Sequence, residues 1–276
     1  MKRIILITSF IFSVLSTHAS CADDYPTDPA KWEVTTRPSK NDRDRYQAFL
    51  HRANFSRHDW RVSVEDGKVV ARVRAEVTAP KEKSPDFDTT VQLQDSKAPA
   101  FRTLKVSDGW IAAYNQGEFG SAVYWFSGDG KNKKKLSGHQ VNEFVIEGDR
   151  VFAVEGLAHL SLSQGSMIEI KKQDNQWKVE EFLPLPSSAE AIARVGEGDF
   201  VIVTSDMLLR VNLDRQILIL IPTGDWGGLY PNSIATDGKY AYIGMRQFVA
   251  RCKLDKSVQN FDLLVPSSKW LNTKNE

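Results

Sequence analysis

A short turn flanked by apolar strands recurs along this chain at a nearly fixed interval, and that period restricts the fold more than any other feature. Asp66-Gly67, Asp108-Gly109, Gly148-Asp149, Gly196-Glu197-Gly198 and Asp237-Gly238 follow one another at about 42, 39, 50 and 40 residues, a spacing that marks stacked or radially repeated units. Asp-Gly between apolar runs signals a hairpin, because both central turn positions favour residues that tolerate positive φ. The last unit reads most clearly, with strands at Ser233 to Thr236, Tyr240 to Met245, Gln247 to Leu254 and Asn260 to Pro266. The unit before it has the same layout: Ala191 to Val195, Phe200 to Thr204, Leu208 to Leu213 and Gln216 to Ile221. The one before that gives Glu143 to Ile146, Val151 to Val154, Ser166 to Lys171 and Trp177 to Phe182.

Four antiparallel strands in roughly 40 to 50 residues make a β-propeller blade, a small twisted sheet that buries both faces only by stacking against two neighbours. The expected fold is therefore all-β, a β-propeller of five or six four-stranded blades with a short N-terminal helix. Five turn signals give five blades, and the N-terminal segment has room for a sixth. The competing architecture, two face-to-face sheets, does not readily explain a recurring four-strand order at this period. The early units are less regular. Trp60 to Val64 and Val69 to Val77 pair, Ala79 to Ala100 is a polar insertion containing proline, and Thr103 to Val106, Trp110 to Tyr114 and Ser121 to Phe126 restore the pattern.

The first residues have the layout of an export signal: Lys2 and Arg3, the apolar run Ile4 to Leu15, then the small residues around Ala19, Ser20 and Ala22. A run this short does not span a bilayer, so the expectation is cleavage after Ala22 or after Ala19, and an exported protein of the periplasm or exterior. Lipid attachment at Cys21 is the alternative, with His18 standing where a lipoprotein site wants Leu or Val. No later run has the length and apolarity of a transmembrane helix. The expected organisation is a signal peptide at 1–22, an N-terminal segment with a short helix at 23–55, and the propeller at 56–276. The helix is predicted over Asn41 to Ala53, with Asn41 or Asp42 as cap and Tyr46, Phe49 and Leu50 on one face. Trp32-Glu33-Val34 reads as a stray strand.

Loss of Lys2 and Arg3 changes the formal charge from +1 to −1, and interspersed signs leave no footprint for nucleic acid. The run Lys131 to Lys135 reads as a solvated hairpin tip. Cys252, in an alternating apolar stretch, reads as a small core hydrophobe, or as the partner of Cys21 where cleavage follows Ala19. The sequence has no G-x-S-x-G elbow, H-E-x-x-H, phosphate-cradling glycine loop or C-x-x-C. His51 and His58 read as helical or surface residues, and His159 as a loop residue.

One polar constellation emerges from the repeat. Six residues before the turn glycines Gly148, Gly196 and Gly238 stand Asn142, Glu190 and Asn232. The first strand of each blade lines a propeller's central channel, so these side chains, with Glu143 beside Asn142, are expected at one mouth. Oxygen donors alone suit a hard cation such as calcium. Gly228 to Gly238, containing Tyr230-Pro231-Asn232, resembles the segment leading into a strand in calcium-dependent lactonases of the senescence-marker-protein and gluconolactonase propeller group. That resemblance implies a metal held by Asn232 with another Asn, a Glu and an Asp, and metal-assisted hydrolysis of lactones or esters. The other positions lack the Pro-Asn form, and Asp206 is the nearest counterpart of the family's catalytic Asp.

With no recognisable nucleophile or base, binding is the leading expectation: no cofactor, and a protein partner held by loops at one end of the ring, as an inhibitor or immunity factor would hold one. Asp225, Trp226 and Tyr230, in a glycine-rich connection, are the residues expected to carry it. The calcium-dependent hydrolase is the alternative, and sugar recognition by some of the seven Trp residues is a third.

Overall fold

The computed structural model describes residues 25–77, 84–159, 162–222, 226, 228–255 and 260–271. Strand β1 (Glu33–Thr35) and helix α1 (Arg43–Asn54) precede two hairpins, β2 (Trp60–Glu65) with β3 (Lys68–Val73), and β4 (Val91–Leu93) with β5 (Ser96–Ala98). Four larger units follow. The first comprises β6 (Arg102–Val106), β7 (Gly109–Asn115), β8 (Ser121–Ser127) and β9 (Lys133–Ser137). The second comprises β10 (Val141–Glu147), β11 (Arg150–His159), β12 (Leu162–Gln173) and β13 (Gln176–Leu185). The third comprises β14 (Ala189–Gly196), β15 (Asp199–Thr204), β16 (Leu208–Asn212) and β17 (Ile217–Ile221), and the last β18 (Ser233–Thr236), β19 (Tyr240–Gly244), β20 (Val249–Lys253) and β21 (Asp262–Val265).

Each of these four units is an antiparallel meander, its strands hydrogen-bonded in chain order. One of the turns marked in the sequence carries the full signature, whereas at Asp108-Gly109, Gly148-Asp149 and Asp237-Gly238 only the glycine has positive φ. At the β2–β3 turn Asp66 and Gly67 sit at φ 48° and 73°, the double positive φ that a two-residue hairpin of matching twist requires. Gly109 is fixed for a second reason: a Cβ there would lie 2.0 Å from the Phe126 carbonyl oxygen.

What makes the sheets a continuous stack is how the core is divided. Ile111, Ala113 and Val123 of the first sheet pack with Val151, Ala153 and Ile168 of the second. The opposite face of the second sheet, with Phe152, Val154 and Met167, packs on Ile192, Phe200 and Ile202 of the third. The far face of the third, with Val201 and Val203, meets Ala241, Ile243 and Phe248 of the last. Second strands such as Phe200-Val201-Ile202-Val203 are buried on both faces, which accounts for their unbroken apolar run. Burial of both faces by like neighbours is the propeller-like arrangement.

The two hairpins cap this series. The β4–β5 hairpin lays Val91, Leu93 and Ala98 on Trp110, Ala112 and Tyr114 of the first sheet. The β2–β3 hairpin packs Trp60, Val62 and Ala71 on Ala235, Tyr242 and Leu264 of the last. The first turn unit is thus a two-stranded hairpin and not a four-stranded blade, and the proline-containing insertion after it supplies the second hairpin. The stray strand finds a place too: β1 pairs with β21, Glu33 opposite Val265 and Thr35 opposite Leu263, as a fifth, outermost strand of the last sheet. Helix α1 begins where Asp42 accepts from the Arg45 amide and buries Phe49 and Ala53 against the third and last sheets. No described helix is long and apolar enough to cross a membrane.

Candidate functional site

The first strands of successive units lie side by side, β6 by β10, β10 by β14, β14 by β18 and β18 by β2, and the residues near their starts form the candidate mouth. Glu143 on β10 shows the geometry most directly. Its Oε2 lies 3.3 Å from Arg61 Nη2 on β2 and 3.3 Å from Arg102 Nε on β6. One carboxylate therefore ties together three strands of three separate sheets. Arg61 is held below the ordinary guanidinium range by burial, and next by the positive charge of Arg102. Removal of Glu143 would leave two half-buried like charges facing each other.

Asn142 performs a similar stitching role. Its Nδ2 donates to the Ala189 carbonyl at 2.7 Å on β14, while its Oδ1 accepts from the Asn115 amide on β7. Asn232, just before β18, donates to Asp59 Oδ1 at 2.7 Å and to the Trp60 carbonyl at 3.1 Å. Its own Oδ1 is buried without a hydrogen-bond partner among the described residues. Asp59 Oδ2 in turn lies 3.3 Å from Arg74 Nη1.

Between the third sheet, the last sheet and the β2–β3 hairpin lies a cavity of about 410 Å³, lined by Asp59, Arg74, Glu190, Ser205, Tyr230, Asn232 and Arg246 among others. Glu190 has no ion-pair partner among the described residues. Burial pushes its carboxyl up to about 7, opposed only by a hydrogen bond from Ser188. Such a group changes charge near neutrality. Tyr230 stands at the rim, 49 % exposed, at a positive φ of 55°. The Arg246 guanidinium lies 4.1 Å from its ring centroid, and Arg246 Nη1 donates to the Asn54 carbonyl at 3.1 Å. The ring is thus held in place by a cation that is itself anchored to the end of α1.

Of the oxygen donors singled out in the sequence, Glu190 and Asn232 share this cavity, whereas Asn142 and Glu143 are engaged between sheets. The set fits a hard cation poorly. Glu143 is neutralised by two arginines, both Asp59 oxygens are taken, burial raises the cost of charge on Glu190, and two guanidinium groups line the same space. Among the described residues no three His, Cys, Asp or Glu side chains gather as a metal-holding group. Asp206 accepts from Thr204 Oγ1 at 3.3 Å beside Ser205, which lines the cavity.

Trp226 corrects an expectation. It is fully buried, in the cluster between the third and last sheets, edge-on to Phe261 at 5.3 Å, and so is not a surface anchor. An indole of that size is favoured inside when a loop can lay it over a seam between two sheets. Asp225 lies outside the described residues, as does Cys21. His58 is also buried, stacked on Trp60 at 5.9 Å and tilted against Trp270 at 4.5 Å, and His159 ends strand β11. Cys252 is buried on β20, where burial pushes its thiol up to about 12.

Four arginines at the mouth, Arg61, Arg74, Arg102 and Arg246, were not singled out by sequence reasoning. A signal existed for one of them: Arg61 stands six residues before the turn glycine Gly67, the same interval that selects Asn142, Glu190 and Asn232.

The stacked meanders and their shared mouth define a propeller-like protein. Among solved structures, the chain is similar to selenomethionine-substituted virginiamycin B lyase from Staphylococcus aureus, at 13 % identity and TM-score 0.45, covering 64 % of this chain and 59 % of that one. A catalytically inactive variant of the same lyase with quinupristin gives 17 % identity, TM-score 0.38, and coverage of 60 % and 59 %. A HIRA fragment gives 15 % identity, TM-score 0.32, and coverage of 64 % and 57 %. The matches thus extend over about three-fifths of each of those structures. No family model and no curated protein matches the chain.

Proposed function

We propose that this is an exported binding protein, a ring of five or six positions of which four are complete sheets, that engages a partner protein at the mouth of the ring. The observation that carries this reading is Tyr230, an exposed aromatic fixed over Arg246 at the rim of a polar cavity. Tyr and Arg are the side chains that protein interfaces concentrate at their energetic centres. A ring held on a rigid scaffold also loses little freedom on binding. An inhibitor or immunity factor would use such a mouth to receive a side chain of its target. The reading is tested by placing a photo-crosslinking residue at position 230, isolating the crosslinked protein, and measuring its affinity for the unmodified chain and for Tyr230→Ala. Binding weakened at least tenfold with an unchanged melting temperature supports the proposal. A partner whose affinity ignores substitutions at Tyr230, Arg74 and Arg246 refutes it.

A calcium-dependent hydrolase of lactones or esters is the second reading. The observation that favours it is the unpartnered Asn232 Oδ1 in a cavity shared with Glu190. The engaged carboxylates and neighbouring arginines oppose it.

A further inference from the structure

The arginines at the candidate mouth outnumber the carboxylates that hold them. Glu143 Oε2 takes both Arg61 Nη2 and Arg102 Nε at 3.3 Å, so the two cations lie within 6.6 Å of each other, twice that distance. The side chains of Arg61, Arg102 and Glu143 are 23 %, 22 % and 26 % exposed, a setting in which an unmatched charge costs more than it does in open water. The charged groups that act on Arg61 are Arg102, Glu143, Arg74 and Asp59. With Arg61 itself they make three positive charges against two negative ones, one positive in excess among the described residues. Hydrogen bonding shows the same shortfall. The Phe101 carbonyl accepts from Arg102 Nη1 at 3.2 Å, but Arg61 Nε and Nη1 and Arg102 Nη2 meet no acceptor among the described residues. None of the three is sealed from solvent, so a ligand can reach them.

The geometry points to a carboxylate-binding site between Arg61 and Arg102, completed by an anion that arrives from solution. Charge selects the class of ligand. The excess is a single charge, so a singly charged group balances the cluster, whereas a doubly charged anion would leave a negative charge half-buried in its place. Donor geometry agrees, because guanidinium groups hold carboxylates through charge-assisted N–H bonds, and these two already hold one in Glu143. Arg102 is restrained beforehand by the Phe101 carbonyl and by the Phe101 ring, whose centroid lies 4.2 Å from the guanidinium carbon. It therefore loses little freedom when the anion binds. The site stands on this cluster and not on Tyr230, so it and the protein-partner reading succeed or fail separately.

Sodium acetate titrated into the full chain, against sodium chloride at equal ionic strength, tests the site through the arginine Nε–H resonances. The Arg61 and Arg102 signals should move saturably, with Kd on the order of 1 to 10 mM for so small a ligand. Arg102→Gln balances the cluster, and its Arg61 signal should respond no more than it does to chloride. Glu143→Gln doubles the excess charge and should bind acetate roughly fivefold tighter or better. Lys133→Gln makes the same change in overall charge as Arg102→Gln, on the outer strand β9, and should bind as the unmodified chain does. The capped peptide acetyl-Gly-Glu-Gly-amide names the source of the carboxylate. Signals that move with it assign the site to an acidic side chain of a polypeptide, and signals that move with acetate alone assign it to a free small acid. A response in the unmodified chain no larger than that to chloride overturns the proposal, as does an acetate response that survives in Arg102→Gln. Weaker acetate binding by folded Glu143→Gln overturns it also, and Arg102→Gln keeps the test decisive if Glu143→Gln does not fold.

Discussion

Glu190 should make this protein less stable as the pH rises through neutrality, and Glu190→Gln should remove that loss. The carboxyl is half-buried at the mouth, has no ion-pair partner among the described residues, and is pushed from an ordinary 4.5 to about 7 by burial. A folded-state value raised above the unfolded one means the folded state favours the neutral form. No penalty exists below about pH 4.5, and stability falls as the pH climbs through about 7. At about 1.4 kcal/mol per unit the displacement corresponds to roughly 3 kcal/mol. Partial solvent contact screens part of it, leaving about 2 kcal/mol. Glutamine keeps the shape and the contact with Ser188 without acquiring a charge. Urea unfolding of both proteins at pH 5 and pH 8 isolates the effect, since every other titrating group is common to the two. The two should be of similar stability at pH 5, and Glu190→Gln should be more stable by about 2 kcal/mol at pH 8. If the difference between them is the same at both pH values, Glu190 does not titrate as its surroundings require.

Trp226→Ala should lower stability by about 3 to 5 kcal/mol, because it empties a filled site between two sheets; an unchanged melting temperature would place the indole outside. Millimolar calcium should leave the melting temperature of the unmodified chain where it is, since Asp59 and Glu143 are engaged and two guanidinium groups line the cavity. A rise of several degrees that Glu190→Gln abolishes would restore the hydrolase reading.

The repeat was legible because each turn needs a chemistry that few residues provide. Asp66-Gly67 and Gly148 mark bends where positive φ is required, and apolar runs such as Phe200 to Thr204 show that a strand is buried on both faces. Strand boundaries in the last two units fall within two residues of the sequence expectation for the same reason, whereas β11 and β12 run four to five residues beyond it at their shared turn. What stayed hidden depended on partners far away in the chain. The stray strand at Trp32 to Val34 was visible, but its mate was not: Glu33 to Thr35 pairs with Val265 to Leu263, some 230 residues further along the chain. Trp226 sits among glycines, a context that suggests exposure, and its burial depends on a seam formed by residues on both sides. At the candidate site the repeat count picked out Glu190 and Asn232, which line one cavity. It could not foresee that Glu143 would be neutralised by Arg61 and Arg102, 82 and 41 residues earlier in the chain.

The pairing of Arg61 with Glu143 is where the idea of a ring around one mouth is most exposed to test. A double-mutant cycle with Arg61→Ala, Glu143→Ala and the double variant, read by urea unfolding, measures whether the β2–β3 hairpin and the second large sheet meet across the centre. The account predicts a coupling of about 1 kcal/mol between residues so distant in sequence; strictly additive effects would mean that the strands do not share a mouth.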